Sequence, residues 1–106
     1  PAALEFPFLL SVGGQLVRGR IDAAYTAPSI VPAGHDVLIV DWKTGRSQPD
    51  RLQLGLYRLA WAELHGLRLE RVAAAFHHVR TDRLEIVEGL PDRSAIEGLM
   101  RRLGGR

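Results

Sequence analysis

The chain has 106 residues, of which 46% are hydrophobic and 25% are charged, and its formal net charge is +2. This length and composition fit a single globular domain with one modest core, and no apolar run is long enough to span a bilayer. Because the chain has no cysteine, its own residues cannot form disulfides, thiolate zinc sites or iron–sulfur clusters ligated by cysteine. We therefore expect no membrane association and no iron–sulfur cluster within this stretch.

The first half of the chain has the pattern of β-strands. Residues 4–12 and 15–25 are β-rich and flank a Gly-Gly turn, so we expect a hairpin. Residues 26–36 contain two prolines and a glycine and are expected to form a loop. The run VLIVDWK, residues 37–43, is continuous and mostly apolar, as in a strand covered on both faces.

A loop at 44–50 is followed by a helical pattern from Arg51 to about His65. Asp50 is the expected N-cap of this helix, and Gly66 is its expected stop.

The last third of the chain predicts two strands and a helix. A strand at 72–79, a turn with the sequence RTDR and a returning strand LEIVE, residues 84–88, form a second hairpin. Ser94 and Glu97 have the spacing of a capping box that opens the last helix. The predicted order is β-β-β-α-β-β-α. A strand, a helix and a further strand imply a crossover connection, so we expect an α/β (α+β) fold with a mixed central sheet flanked by helices.

One lysine stands out, because the chain otherwise uses arginine for every positive charge. Of the 14 basic residues, 13 are arginine and one is Lys43. An ammonium group is compact and changes its pKa readily, which a guanidinium does not. Lys43 is therefore a candidate for a chemical role.

Two carboxylates are expected close to this lysine. Asp41 and Lys43 project from one face of their strand, and Trp42 projects from the other. If the strands at 15–25 and 37–43 pair, Asp22 is brought beside Asp41. Two carboxylates suit a hard cation such as Mg²⁺, and a lysine beside them can orient or deprotonate a water molecule. This combination is typical of phosphodiester hydrolysis.

Three motifs in the same order resemble those of the PD-(D/E)xK nuclease superfamily, and within it the RecB-like nuclease domains of bacterial helicase-nucleases. They are GRIDA at 19–23, VDWKTG at 40–45 and QLGLY at 53–57, the last fitting a Q-x-x-x-Y pattern. The resemblance implies a restriction-endonuclease-like core in which Asp22 and Asp41 are catalytic and bind Mg²⁺ or Mn²⁺. It also implies that Lys43 is the catalytic lysine and that the backbone carbonyl of Trp42 is a further metal ligand.

The resemblance further implies that Gln53 and Tyr57, one helical turn apart, face the site and support it or bind substrate. Residues 1–106 would then form one RecB-like nuclease domain, a C-terminal fragment of a larger chain. Its substrate would be single-stranded DNA, delivered by an ATP-dependent helicase in the same chain or in a partner subunit. The setting would be double-strand break repair and recombination in the bacterial cytoplasm. Relatives usually carry another metal ligand on a helix upstream of the first strand, and 1–106 shows no such helix.

Each assignment has a structural alternative. Asp22 could pair with Arg18 or Arg20, and Asp41 with Lys43 in a plain ion pair. Gln53 holds the N3 position of a capping box with Asp50. Tyr57 could be an ordinary residue of an amphipathic helix.

Four further residues have structural interpretations. Glu5 is either near the site or an ordinary solvent-facing strand residue. His77 and His78 point to opposite faces and do not easily ligate one ion, so we interpret them as structural. Trp61, like Trp42, is interpreted as a core aromatic residue.

Two other functions remain open. The domain could be an inactive nuclease-like module that supports or guides DNA in a helicase complex, as an incomplete metal site would suggest. It could also be a small binding domain unrelated to nucleases, in which case all three motifs are accidental.

Overall fold

The computed structural model of the protein describes residues 2–45 and 48–104. The elements are β1 (Ala3–Val12), β2 (Gln15–Tyr25), β3 (Val37–Lys43), α1 (Arg51–His65), a short 3-10 helix (Leu69–Arg71), β4 (Val72–His78), β5 (Arg83–Ile86) and α2 (Arg93–Gly104). The predicted order of strands and helices is confirmed. Positions 46 and 47 of the predicted loop at 44–50, and the last two residues of the chain, lie outside the described residues.

The five strands form one sheet in the order β1-β2-β3-β4-β5. All neighbouring strands are antiparallel except β3 and β4, which are parallel. A parallel pair needs a long crossover connection, and α1 supplies it between β3 and β4. The fold is therefore the expected mixed α/β architecture, consistent with a restriction-endonuclease-like core.

The core lies on both faces of the sheet. Both helices contribute to the larger cluster of buried residues, which includes Ile39, Leu54, Trp61, Phe76 and Ile96. A smaller cluster lies on the opposite face and includes Leu38, Val40 and Ala75, with Trp42 packed against it. The two tryptophans therefore lie against the core, as predicted. In the part of the chain that the structure describes, no helix is both long and apolar enough to cross a membrane.

Helix α1 begins and ends at the residues that the sequence indicates. The backbone N–H of Gln53 donates to Asp50 Oδ1 at 3.0 Å, so Asp50 caps one of the otherwise unpaired N–H groups of the first turn. Gly66 adopts a left-handed conformation with φ 65°, and its N–H bonds to the carbonyl of Ala62. Glycine takes this conformation without the steric penalty of a Cβ. Both ends of α1 are therefore defined by single capping residues.

The predicted start of the last helix was wrong. Helix α2 begins at Arg93, and Asp92 caps it by accepting a 2.9 Å hydrogen bond from the Ala95 backbone N–H. The carboxylate of Glu97 pairs with Arg93 at 2.7 Å. An aspartate that directly precedes a helix can accept a hydrogen bond from the backbone N–H at the N3 position. A capping box that starts at Ser94 is therefore not needed. The fifth strand is also shifted, to Arg83–Ile86 from the predicted 84–88.

Candidate active site

The register of β2 and β3 brings the two predicted carboxylates together. Ala23 pairs with Val40 and Ala24 with Ile39, so Asp22 and Asp41 directly follow the paired part of this ladder on their two strands. The backbone N–H of Trp42 donates to Asp22 Oδ2 at 2.7 Å. Asp22 is thereby held at the end of β3, and its carboxylate is close enough to Asp41 to raise the pKa of that residue.

Strand alternation is interrupted at Asp22. Ile21 and Ala24 both belong to the core cluster on the helical side of the sheet, whereas strict alternation would place residues three apart on opposite faces. On β1, Glu5 has a positive φ of 48° and precedes Phe6, the partner of Ile21. The interruption lies between Ile21 and Ala24, and Asp22 occupies it.

This local geometry decides between the alternatives for Asp22. Arg20 pairs with Glu5, at 3.4 Å between the guanidinium and the carboxylate, and among the described residues Asp22 has no basic partner within 4.0 Å. The ion pair of Asp22 with Arg18 or Arg20 was therefore not the correct interpretation. Glu5 is an exposed strand residue in a surface ion pair.

Among the residues that the structure describes, Asp41 is the one charged residue that is buried, with 6% of its surface exposed. Its Oδ2 lies 3.0 Å from Lys43 Nζ, and apart from this ion pair the buried oxygen accepts no hydrogen bond from the described chain. Burial raises the pKa of Asp41, Asp22 adds to the increase, and Lys43 opposes it. Burying a carboxylate is costly, and the single ammonium of Lys43 balances only one of the two neighbouring carboxylates, which suits a further positive group.

Lys43 is held in a defined position beside this carboxylate. Its side chain is largely buried, and its ammonium lies 5.8 Å from the centre of the Phe76 ring, within the range of a cation–π contact. Its carbonyl accepts a 3.0 Å hydrogen bond from the Val79 backbone N–H. The predicted ion pair of Asp41 with Lys43 is present, but it does not balance the charge of Asp22, which has no basic partner within 4.0 Å among the described residues.

Tyr57 lies over this end of the sheet. Its ring makes an edge-to-face contact with Phe8 at 5.5 Å between centroids. Burial raises the pKa of the Tyr57 hydroxyl, and the charges of Asp41 and Asp22 raise it further. The hydroxyl is therefore within electrostatic reach of both carboxylates, as expected of a residue that faces the site.

Gly19 lets Tyr57 approach strand β2 closely. A Cβ at Gly19 would lie 2.6 Å from Phe8 Cζ and 3.3 Å from Tyr57 Cε1, so the absence of a side chain there lets both rings approach the strand. Gln53, one turn before Tyr57, is half-buried. Gln53 takes part in the N-terminal cap of α1 through its backbone N–H, which donates to Asp50. Its side chain is not needed for this contact.

The two carboxylates fit a hard divalent cation. Mg²⁺ commonly uses one or two protein carboxylates and keeps several waters, and the buried carboxylate of Asp41 beside that of Asp22 provides such a donor set. Across residues 2–45 and 48–104, no group of three or more His, Cys, Asp or Glu side chains converges on one point. The site therefore resembles the two-carboxylate type, in which water and substrate complete the coordination.

The two histidines bond to different carboxylates. His77 lies 3.0 Å from Asp82, and His78 lies 2.9 Å from Glu85. These separate partners agree with the expectation that adjacent strand residues face opposite ways.

Of the residues next to Lys43 on the neighbouring strands, His78 was interpreted from the sequence as structural, and Arg80 and Arg83 were not predicted to lie there. Lys43 pairs with His78 across the parallel ladder, and His78 pairs with Arg83 across the following antiparallel ladder. A basic cleft at this end of the sheet is lined by Lys43, Gly45, His78, Arg80, Thr81 and Arg83. Two arginines flanking a turn are visible in the sequence as a signal, but their position beside Lys43 depends on the register of β3 and β4.

Comparisons with known proteins agree with this geometry. The chain matches the family model described as the PD-(D/E)XK nuclease superfamily over residues 1–103. The Gene 69 protein of Mycobacterium phage L5 is 35% identical over 74 residues, which cover 70% of this chain and 23% of that protein. The Gene 69 protein of Mycobacterium phage D29 is also 35% identical over 74 residues, covering 70% of this chain and 25% of that protein. The matched segment thus spans about a quarter of each curated relative.

Proposed function

The chain belongs to the PD-(D/E)XK nuclease superfamily, and from this premise we propose that it hydrolyses DNA phosphodiester bonds at Asp22, Asp41 and Lys43. One observation carries the proposal. The buried carboxylate of Asp41 lies beside a second carboxylate, that of Asp22, and the one ammonium in contact with it, that of Lys43 at 3.0 Å, balances only one of the two charges. Burying a carboxylate costs free energy, and a bound cation would offset this cost.

Asp22 and Asp41 would hold Mg²⁺ or Mn²⁺, with the carbonyl of Trp42 as a further ligand. When bound, such an ion polarises a phosphoryl oxygen and lowers the pKa of a water ligand. The hydrogen bond from Trp42 N–H to Asp22 Oδ2 fixes one carboxylate oxygen and leaves the other for the ion. The donor set is all oxygen, as hard divalent cations prefer.

Lys43 would orient or deprotonate the attacking water molecule. Its ammonium is held between the Asp41 carboxylate and the face of the Phe76 ring, so it can orient a water molecule or a phosphate oxygen without rearranging. Tyr57 and Gln53, on the helix above, would contact the substrate or support the carboxylates. A tyrosine hydroxyl is protonated at neutral pH, and burial raises the pKa of Tyr57 further, so this hydroxyl can donate a hydrogen bond to a phosphate oxygen.

The motifs at 19–23, 40–45 and 53–57 support a more specific placement within the RecB-like branch. We place residues 1–106 as the C-terminal nuclease module of a larger helicase-nuclease. The ATP-binding helicase would lie in the same chain or in a partner subunit, and it would deliver single-stranded DNA during break repair and recombination in the bacterial cytoplasm. This placement predicts that Asp41→Ala in the full-length protein abolishes cleavage and leaves ATP-driven unwinding intact.

A second function, an inactive nuclease-like module that guides or supports DNA, is favoured by one observation. In the described parts of the chain, only two carboxylates converge at the site, and no histidine, cysteine or further acidic side chain joins them as a third metal ligand. Calorimetric titration with Mn²⁺ separates the two functions. Heat of binding that Asp22→Asn abolishes supports the nuclease, and no binding at millimolar Mn²⁺ would leave the guiding role.

Cleavage of a fluorescent single-stranded oligonucleotide with Mg²⁺ or Mn²⁺ tests the proposed activity directly. We expect Asp41→Asn and Lys43→Ala to lower the rate by at least about 10²-fold, the scale of losing a catalytic group. Asp36→Asn is the matched control, because Asp36 is also an aspartate at a strand boundary but pairs with Arg71 at 2.7 Å on the surface. Cleavage that persists in Asp41→Asn would show that this site is not the catalytic one.

A further inference from the structure

Basic residues extend from Lys43 along the end of the sheet. Lys43, His78 and Arg83 occupy one row across three neighbouring strands, because Lys43 pairs with His78 and His78 pairs with Arg83. Neighbouring strands are about 4.8 Å apart, so the row from Lys43 to Arg83 spans roughly 10 Å. It begins at the proposed catalytic lysine and ends at the edge strand β5.

The turn that joins β4 and β5 is attached to the active-site strand. The backbone N–H of Val79 donates to the Lys43 carbonyl at 3.0 Å, and the Asp82 N–H closes the turn on the Val79 carbonyl at 3.3 Å. His77 contacts the Asp82 carboxylate at 3.0 Å from the other face. The turn is therefore held at a fixed position relative to Lys43.

Two arginines on this turn lack acidic partners. Within residues 2–45 and 48–104, neither Arg80 nor Arg83 has a carboxylate within 4.0 Å, although both are exposed. Glu85 follows Arg83 on the same strand face, but its carboxylate is engaged by His78 at 2.9 Å. By contrast, the arginines at 20, 68, 71, 93 and 101 all contact carboxylates.

Together these groups line an open cleft of about 630 Å³ that contains Lys43 and Gly45 on one side and Arg80 and Arg83 on the other. A cleft lined by one sign of charge concentrates counter-ions of the opposite sign. The acids nearest to this cleft each have a partner: Asp41 contacts Lys43, Glu85 contacts His78 and Asp82 contacts His77. The charge of the two arginines is therefore available to an external anion.

We propose that Arg80 and Arg83 bind backbone phosphates of the nucleic-acid strand, next to the phosphate that is cut at Asp41 and Lys43. The inference rests on the proposed function, and it extends the site by a positioning element that holds the strand in register. Guanidinium groups bind phosphate through paired N–H donors. Each nucleotide of a strand carries one phosphate, so a row of basic groups of roughly 10 Å can contact more than one phosphate.

Binding of a fluorescent single-stranded oligonucleotide, measured in EDTA over a range of salt concentrations, tests this. We expect Arg80→Gln/Arg83→Gln to weaken binding at low salt by at least about tenfold, and to reduce the slope of log K against log salt by about 1.4, since each phosphate contact on a single strand contributes about 0.7. Arg80→Lys/Arg83→Lys should retain most of the slope, because charge is kept while the paired donors are lost.

The matched control is Arg18→Gln/Arg102→Gln. These arginines are also exposed and have no carboxylate within 4.0 Å among the described residues, so the control removes the same net charge from β2 and α2. A loss of affinity and slope confined to the Arg80/Arg83 variant supports the proposal. Equal losses in both variants, or no loss in either, would overturn it.

The test does not depend on cleavage. Because EDTA removes divalent ions, the binding result is obtained whether or not Asp41 is catalytic. Persistent cleavage by Asp41→Asn would reject the proposed function, whereas unchanged binding by the Arg80/Arg83 variant would reject only the phosphate site. Thermal unfolding of each variant establishes that all of them are folded.

Discussion

The backbone N–H of Trp42 donates a hydrogen bond to Asp22 Oδ2 across the β2–β3 ladder, at 2.7 Å. This bond ties the position of Asp22 to the strand that carries Asp41 and Lys43. An asparagine at position 22 retains a carbonyl oxygen that can accept the same bond. Asp22→Asn therefore removes the charge and keeps the link between the strands, which makes it a clean probe of the carboxylate.

The first prediction concerns metal-dependent stability. A cation bound only by the folded chain adds RT ln(1 + [L]/Kd), which is about 1.4 kcal/mol at ten times Kd and corresponds to a rise of roughly 5–10 °C in Tm for a domain of this size. We expect Mn²⁺ to raise the Tm of the wild type, and Asp22→Asn or Asp41→Asn to abolish the rise. Asp36→Asn should keep it. A rise of equal size in all four proteins would mean that the ion binds elsewhere.

A second prediction separates the two interpretations of Tyr57. Tyr57→Phe keeps the edge-to-face contact with Phe8 and removes only the hydroxyl that Asp41 and Asp22 influence. We expect a change in Tm of less than about 2 °C and a drop in cleavage rate of about tenfold or more. The rate of cleavage and thermal unfolding are measured on the same preparation. A rate equal to that of the wild type would leave Tyr57 with a packing role alone.

Gln53 gives a third prediction, because its cap contact uses the backbone. Its N–H donates to Asp50 Oδ1, and alanine retains that N–H. Gln53→Ala should therefore leave the free energy of unfolding within about 0.5 kcal/mol of the wild type, while Asp50→Ala should cost about 1 kcal/mol. We expect Gln53→Ala to lower the cleavage rate all the same. Urea denaturation measures the first effect, and a strongly destabilised Gln53→Ala would return this residue to a structural role.

The sequence was sufficient for those features that depend on local chemistry or on a strand end. Asp50 and Gly66 could be recognised as the caps of α1 because capping depends on single residues and their backbone conformation. The meeting of Asp22 with Asp41 followed from pairing two strands whose polar ends coincide. Asp92, a second acceptor close to Ser94, shows the limit of such local reasoning, because the sequence alone does not say which of two competing caps is used.

Other features required the three-dimensional register. The interruption of alternation between Ile21 and Ala24 involves two strands at once, and no run of letters in β2 marks it. Likewise, Arg83 lies 40 residues from Lys43 in the sequence and reaches the same end of the sheet only through the β3–β4 and β4–β5 ladders. A shift of one residue in either ladder would place it on the other face, so periodicity alone could not identify it.

A fourth prediction concerns the support of the helical layer. Arg58 on α1 donates to the carbonyls of Val72 at 2.7 Å and Leu69 at 3.0 Å. Because Arg58→Met leaves these partly buried acceptors without a donor, we expect it to lower the free energy of unfolding by about 1–3 kcal/mol. Arg68→Met is the control, since Arg68 forms only an exposed pair with Glu70, which is worth less than about 1 kcal/mol. Equal denaturation midpoints for the two variants would show that the Arg58 contacts do not stabilise the fold.

The last prediction links packing to the site at Gly19. A Cβ at this position would lie 2.6 Å from Phe8 Cζ, and a rigid ring can move only as a whole. Gly19→Ala should therefore cost about 1–3 kcal/mol through overpacking, measured by urea denaturation. Because Tyr57 rests on the same spot, at 3.3 Å, the displaced rings should also lower the cleavage rate.

Two comparisons test this explanation. Gly45→Ala is the matched control for stability, since a Cβ there meets nothing within 4 Å. Gly19→Ala combined with Phe8→Leu replaces the clashing ring by a smaller, flexible side chain, so part of the lost stability should return. The cleavage rate should stay low in the double variant, because a leucine side chain does not provide the aromatic edge that orients Tyr57. If Gly19→Ala were as stable and as active as the wild type, the close approach of Phe8 and Tyr57 to the strand would not determine the geometry of the site.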